Sequence, residues 1–478
     1  MEKTIYIPGA EPHVDLQYSD AWLPGLYSRR VLCFELPEGS SHEKAIDVIE
    51  RGLKALVLGT PELAADAVVV QKAAPHNPEH PWRALVKGKG LELVIKDMRK
   101  SRQSYKELEK AGFPLSFFED AAFMPVNAAI QPEPQSESVY QISLIEGGVL
   151  LSVCLYHRLT DGNGMNSITR ALGDECKKAA QITGDLPPRK LDTDRSTMAS
   201  LNGGKTDLKD HPAHSIVDQI FNPNTVHEEA PPEANGENPK PPPRFVPAFF
   251  RLTNEKAQAL KDYCSRDTPV STHDAITALL WRTLMKTRVA TGELSPDTLS
   301  TFTFPHNARR HIGLDTNWIG NCVYFVQAQA TPSSEILPPE TAPSLAAKIR
   351  TSLNAVDRAA MTGISTIRRA DPYSLHWTAI TSANEPEILA ITSFYHSGLL
   401  GYDFGPALGN VKHFTSTDIG AFGAAFQRAH FVGPKFVDGR GCDVHVGLLE
   451  EEVEGFTKDE LWSKYFTLLE TGEKVGGD

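Results

Sequence analysis

The spacing of apolar and polar positions along the chain predicts a mixture of strands and helices. The clearest stretch is "SVYQISLIEGGVLLSVCLYH". Tyr140, Ile142 and Leu144 alternate with Gln141 and Ser143, and Glu146-Gly147-Gly148 supplies a turn, which predicts a hairpin. In the return strand Val149, Leu151, Val153 and Leu155 share one face. His157 continues their parity, so it is expected to emerge on that same buried side. "RLTDGNG" reads as a turn-rich loop, and "MNSITRALGDECKKAA" as a helix with Met165, Ile168, Leu172 and Cys176 on its apolar face. Downstream, "PVSTHDAITALLWRTLMKTR" predicts a second helix with Ser271 at the N-cap and Asp274 three residues later, a capping box. Ile276, Leu279, Leu280 and Leu284 form its stripe, and "EILAITSFYHSGLLGYDFG" reads as a strand running into a glycine-bounded turn.

Between about 183 and 245 the periodicity fades, and proline, glycine and charge dominate. A long surface crossover between two halves fits this composition, with a disordered insertion inside one domain as the alternative. At 478 residues the chain exceeds the size at which a single core stops growing. The expected organisation is an amino-terminal domain over 1–185, a crossover over 186–245 and a carboxy-terminal domain over 246–478. A segment near 375–400 is free to pack against the first domain. The fold class is α/β.

Composition narrows the function. The chain is 41% hydrophobic and 23% charged, ordinary for a soluble globular protein. A net charge of −12 opposes nucleic-acid binding, which needs a basic footprint. The six cysteines, at 33, 154, 176, 264, 322 and 442, show neither a C-x-x-C pair nor a zinc spacing. Reduced thiols in a cytoplasmic protein are expected, and so are no metal and no membrane span. Phosphate-loop, dinucleotide, nucleophile-elbow and H-E-x-x-H motifs are all absent.

What remains is H-x-x-x-D-G: His157, Asp161 and Gly162. The two side chains straddle a strand end and a loop, so they do not share a helical face. Taken alone, His157 reads as a core histidine at least as well as a base. Three further stretches change that: "STHDAITALLW" from Ser271, "HNARRHIGLDTNWIGN" from His306, and "YDFGPALG" from Tyr402. In this order the four resemble the BAHD acyltransferases, in particular the fungal branch that includes trichothecene O-acetyltransferases. "DAWLPGLYSRRVLCFELPEG" and "LVIKDMRKSRQSYKELEKAGFPLSFFED" extend the resemblance over most of the chain.

The resemblance implies a chloramphenicol acetyltransferase-like fold: two similarly built α/β domains around a central solvent channel. It implies an acyl-CoA co-substrate, acetyl-CoA foremost, and a small-molecule acceptor, a fungal secondary metabolite with a hydroxyl or, less readily, an amine. A monomer is expected. His157 would be the general base, a role that suits an imidazole near neutral pH. Asp161 invites a triad reading, but the family reading turns it toward an arginine, here Arg309 with Arg310 beside it. Asp403 and Gly405 would shape the fold from a distance. Pro406 follows Gly405 where plant members often carry tryptophan, so no indole role transfers. Thr392 and Ser393 are candidates for steadying the oxyanion, because "TSF" stands where the family often has "SSW" or "TSW". Ser271 and Thr272 match helix-start residues near CoA in some members, and a helix N-terminus favours an anion. Ser271 reads equally as a plain N-cap.

Two other function classes use this fold. One takes an acyl group from a carrier-protein thioester. Condensation enzymes usually read H-H-x-x-x-D-G, whereas Tyr156 precedes His157 here. The other is a cyclase-like or binding protein.

Overall fold

The computed structural model describes residues 2–21, 26–74, 77–118, 121–126, 135–216, 244–338, 340–370, 375–378, 385–416, 428 and 430–472. Two mixed sheets organise them. The first has six strands in the order Glu2–Ile7, Leu91–Asp97, Ser138–Ile145, Gly148–Tyr156, Tyr27–Glu35 and His413–Ser416. The second has seven: Val323–Ala330, Ser300–Asn307, Ile388–Ser393, His430–Val432, Cys442–Leu449, Phe245–Leu252 and Thr467–Thr471.

The hairpin forms in the expected register, with Ile142 opposite Leu151. Gly147 sits in its turn at φ +72°, a conformation that favours glycine. Every residue of both strands is buried. The alternation therefore separates two cores rather than core from water. Tyr140, Ile142, Leu144, Val149, Leu151, Val153 and Leu155 join Met165, Ile168, Leu172 and Cys176 of helix Gly162–Ala179. On the other face Val139, Ile145, Leu150, Cys154 and Tyr156 meet Tyr105, Leu108, Phe118 and Phe123. Under that cover the Gln141 amide group and the Ser152 hydroxyl find acceptors for their donors. Gln141 donates to the Ser143 hydroxyl at 2.8 Å and to the Ala122 carbonyl at 2.7 Å, and Ser152 donates to the Phe123 carbonyl at 2.5 Å.

The stretch after residue 185 differs from a loose surface tether. Arg195 is buried, and Met198 and Leu201 belong to the second core. His214–Ile216 pairs with Leu375–Trp377. Its composition is that of a linker because few apolar residues do this work. Residues 217–243 of the expected crossover lie outside the described residues. Ile388–Ser393 belongs to the second sheet. From Leu399 to Phe414 the chain packs into the first core through Leu400, Phe404, Leu408 and Val411. His413–Ser416 then pairs with Tyr27–Glu35, which stitches the halves together. All six cysteines are buried free thiols.

Candidate active site

The strand Gly148–Tyr156 delivers His157 to a tight turn. Its N–H donates to the Leu26 carbonyl at 2.8 Å, and its carbonyl accepts from Asn321 Nδ2 at 3.1 Å. The backbone is thus held from both sides. The half-buried ring is freer: Nδ1 has no hydrogen-bond partner in another residue and faces its own carbonyl. Burial pulls the imidazole below its ordinary pKa, and the Arg30 charge adds to this, while its own carbonyl and Asp161 act the other way. The neutral ring, with a lone pair on one nitrogen, is favoured near pH 7.

Asp161 is fully committed elsewhere. As N-cap of helix Gly162–Ala179 it accepts from the Asn163 N–H at 3.1 Å and the Gly164 N–H at 2.9 Å. Arg309 grips both its oxygens at 2.8 Å, and the Cys322 N–H donates at 2.9 Å. These partners hold the carboxyl below the usual range although burial alone would raise it. Arg309 spends its other donors on the Trp318 carbonyl at 3.2 Å, the Gly320 carbonyl at 2.9 Å and Asn307 Oδ1 at 3.1 Å. The pair is buried, bidentate and saturated. Arg310, its exposed neighbour, has no part in it. No hydrogen bond links Asp161 to the His157 ring, so the two form no relay.

A second network, invisible to motif reading, braces the same turn. Asn321 Nδ2 also reaches the Arg158 carbonyl at 2.9 Å and Asp20 Oδ1 at 3.1 Å. Asp20 is buried beside Arg195, whose Nη2 donates to the Leu159 carbonyl at 2.8 Å. Trp318 lies between two guanidinium groups, Arg195 at 5.1 Å and Arg309 at 5.2 Å from its ring centre. Asn321 closes the "HNARRHIGLDTNWIGN" stretch, whose pattern assigns it no role. Asp20 and Arg195 lie 175 residues apart, and no spacing rule connects them.

Thr392 and Ser393 end a strand that runs parallel to His430–Val432. Thr392 pairs with Phe431 and Ser393 with Val432, so their side chains point to opposite faces. The two cannot flank one oxyanion by their hydroxyls together. The next residue, Phe394, leans on the motif: its ring lies 3.5 Å from where a Cβ at Gly162 would stand. Ser271 caps helix Thr272–Thr291 by accepting from the Asp274 N–H at 3.2 Å, and Asp274 accepts from the Ser271 N–H at 2.7 Å. That carboxylate already occupies the helix N-terminus, and Arg350 balances it at 2.8 Å. Thr272 bonds the Tyr395 hydroxyl, and Arg350 and Lys435 each lie within electrostatic reach of His396.

Asp403 and Gly405 sit far from His157. Asp403 accepts from the Gly405 N–H at 2.8 Å and pairs with Lys177 at 3.3 Å. Lys177 stands fifteen residues beyond Gly162 on the motif helix, roughly 22 Å along its axis. Gly405 adopts φ +86°, and a Cβ there would lie 2.9 Å from the Lys177 Cα. The D-F-G loop therefore clamps the far end of the helix whose near end Asp161 caps. Among the described residues no cluster of three or more metal-ligating side chains occurs, and no helix is long and apolar enough to cross a membrane.

Two α/β halves joined by this histidine turn and its arginine-bolted aspartate define the class: the chloramphenicol acetyltransferase-like fold. The chain belongs to the Transferase family, the BAHD-type acyltransferases, whose model matches residues 118–461. A model of the trichothecene 3-O-acetyltransferase-like N-terminal domain matches residues 26–176. Trichothecene 3-O-acetyltransferase TRI101 of Fusarium sporotrichioides is 25% identical, over 93% of this chain and 94% of that protein. A protein of Penicillium crustosum named enoyl-CoA isomerase/hydratase claC is also 25% identical over 97% of this chain, which spans only 52% of its length. The crystal structure of F. graminearum TRI101 complexed with coenzyme A and deoxynivalenol superposes with a TM-score of 0.78. Its identity is 21%, and the match covers 97% of this chain and all of that one.

Proposed function

We propose that this protein transfers an acyl group, acetyl foremost, from coenzyme A to a hydroxyl of a small-molecule acceptor, with His157 as general base. The observation that carries the reading is the division of labour within H-x-x-x-D-G. Asp161 has no lone pair to spare, while Nε2 of the half-buried His157 ring makes no hydrogen bond among the described residues and the environment favours the neutral ring. Such a ring can accept a proton.

The neutral imidazole takes the acceptor's hydroxyl proton as that oxygen attacks the thioester carbonyl carbon. The tetrahedral intermediate collapses with loss of CoA thiolate, and the imidazolium returns the proton to the sulfur. An ester and free CoA result, and no acyl-enzyme forms. Thr392 is the better candidate to donate to the oxyanion, because it shares a face with Phe431 beside Phe394 and Gly162. CoA phosphates would find a positive partner in Lys435 more readily than in the Ser271 cap, which Asp274 already fills and Arg350 already balances. A trichothecene-like or other fungal acceptor is carried over from the named relatives. A channel between the halves, domains near 1–185 and 246–478, monomeric state and cytoplasmic location belong to the same proposal.

The test is a panel of acyl-CoAs against alcohols and amines, following free thiol and product mass. Acceptor-dependent thiol release with a matching ester is the expected result. Transformation of an acceptor with no thiol released, or release only from a carrier-protein thioester, would overturn the reading.

A further inference from the structure

A cavity lies away from the His157 turn. It measures about 190 Å³ and sits where the edge strand His413–Ser416 of the first sheet meets the second sheet. Strand register places Thr392, Phe431, His445 and Phe249 in one row across that second sheet. The last three line the cavity, opposite Phe113, His413 and Phe414. The Phe249 and His445 rings are 4.6 Å apart, and Phe113 stacks on His413 at 4.4 Å and 5°. Phe394 contacts both Phe414 and Phe431, at 5.7 and 5.1 Å, and its other side leans on Gly162. This aromatic cluster separates the cavity from the motif.

Two histidines in these walls are unexplained by the fold. His445 is 4% exposed and His413 is 7% exposed. Neither nitrogen of His445 and not Nδ1 of His413 has a hydrogen-bond partner among the described residues. Native interiors rarely leave such groups unpaired. Burial pushes both rings down to about 3, with Arg440 and Arg251 contributing at His413, so both are neutral at pH 7. A neutral imidazole offers one donor and one acceptor. Of the charged residues that line it, Arg251 and Asp443 pair with each other at 2.8 Å, and Glu470 adds a carboxylate.

We propose that this cavity binds a neutral, planar aromatic ring bearing one hydroxyl or carbonyl oxygen, which stacks among Phe249, Phe113 and His413 and hydrogen-bonds to His445. Each part of the ligand answers a feature of the wall. The rings favour a flat π surface. The unpaired imidazole favours a single polar oxygen of either hydrogen-bonding sense. The carboxylates of Asp443 and Glu470 in the wall disfavour a ligand carboxylate. A dry cavity of roughly 150 Å³ accommodates benzene, so this one has room for a ring and a substituent. The inference is independent of the transfer reaction, and its test involves no turnover.

The test titrates 4-fluorophenol into the full-length protein by fluorine NMR, beside 4-fluorobenzoate and with the histidine ring nitrogens labelled with ¹⁵N. Saturable binding of the phenol is expected, with shifts at the His445 and His413 ring nitrogens. The benzoate should bind at least tenfold more weakly. His445→Phe, which keeps a ring and removes the nitrogens, should weaken phenol binding about tenfold, and His157→Ala should leave it unchanged. No saturable binding, still histidine nitrogens, equal affinity for the benzoate, or sensitivity to His157→Ala in place of His445→Phe would each overturn the proposal. The nitrogen shifts are read in the wild-type protein, so they decide the matter even if His445→Phe fails to fold.

Discussion

Asp161 and Arg309 are both buried, and each fills its hydrogen-bonding capacity with the other and with nearby backbone. Removing one charge leaves its partner stranded, which typically costs about 3–5 kcal/mol. Asp161→Asn and Arg309→Met are therefore expected to lower the urea midpoint by that order, and their effects should not add in the double variant. Additive losses would show that the two residues act separately. For His157 the downward pull on its pKa gives a sign for catalysis. Acceptor-dependent rate should be flat near pH 7 and fall only as the pH drops past a value below the ordinary 6.5 for histidine. A rate still climbing from pH 7 to 8 would contradict a depressed base. At this scale the sequence was partly legible. The resemblance pointed to Arg309, whereas the strand ends at Tyr156, one residue before the parity could carry His157 onto the buried side. Asp20, Arg195 and Asn321 were not legible as a unit, because three residues from distant segments meet only after both halves have folded.

The motif helix Gly162–Ala179 is held at both ends, by Asp161 at its start and by the D-F-G loop near its finish. Phe404 packs edge-on to Phe34 at 4.9 Å, and Gly173 leaves room for both Tyr402 and Phe404. Gly405→Ala combines a positive φ with a Cβ 2.9 Å from the Lys177 Cα. It should destabilise the fold by about 1–3 kcal/mol, read as a lower thermal midpoint. Ser271→Ala removes a cap and should cost about 1 kcal/mol. A loss of CoA affinity with unchanged stability would instead assign Ser271 to the ligand. The capping box was readable because it is local: four consecutive residues and their side chains define it. The packed start of the crossover was not, since single buried residues such as Arg195 and Met198 leave no periodic trace.

Across the whole molecule, several buried and half-buried histidines are neutral. His413 and His445 are held near 3, and His273 and His306 near 4. The unfolded chain binds protons at these sites below about pH 6.5, whereas the folded chain resists. Their stabilisation is complete above that pH and is lost as the pH falls toward the folded values. Each such ring contributes a slope of up to about 1.4 kcal/mol per pH unit. The unfolding midpoint should fall steadily from pH 7 to pH 5, and a constant midpoint would refute the assignment of neutral rings. The architecture itself was legible as two α/β halves, from the hairpin, two amphipathic helices and a late strand. The stitching of His413–Ser416 into the first sheet was not, because pairing over nearly four hundred residues leaves no local pattern.

The central claim is that His157 performs the chemistry while Asp161 holds the fold. The most direct measurement compares acceptor-dependent CoA release and urea unfolding for His157→Ala and Asp161→Asn. His157→Ala should keep the wild-type unfolding midpoint and lose at least a hundredfold in rate. Asp161→Asn should lose several kcal/mol of stability, with a smaller loss of rate per folded molecule. A stable Asp161→Asn protein as inactive as His157→Ala, or a His157→Ala protein that still releases CoA at the wild-type rate, would contradict the claim.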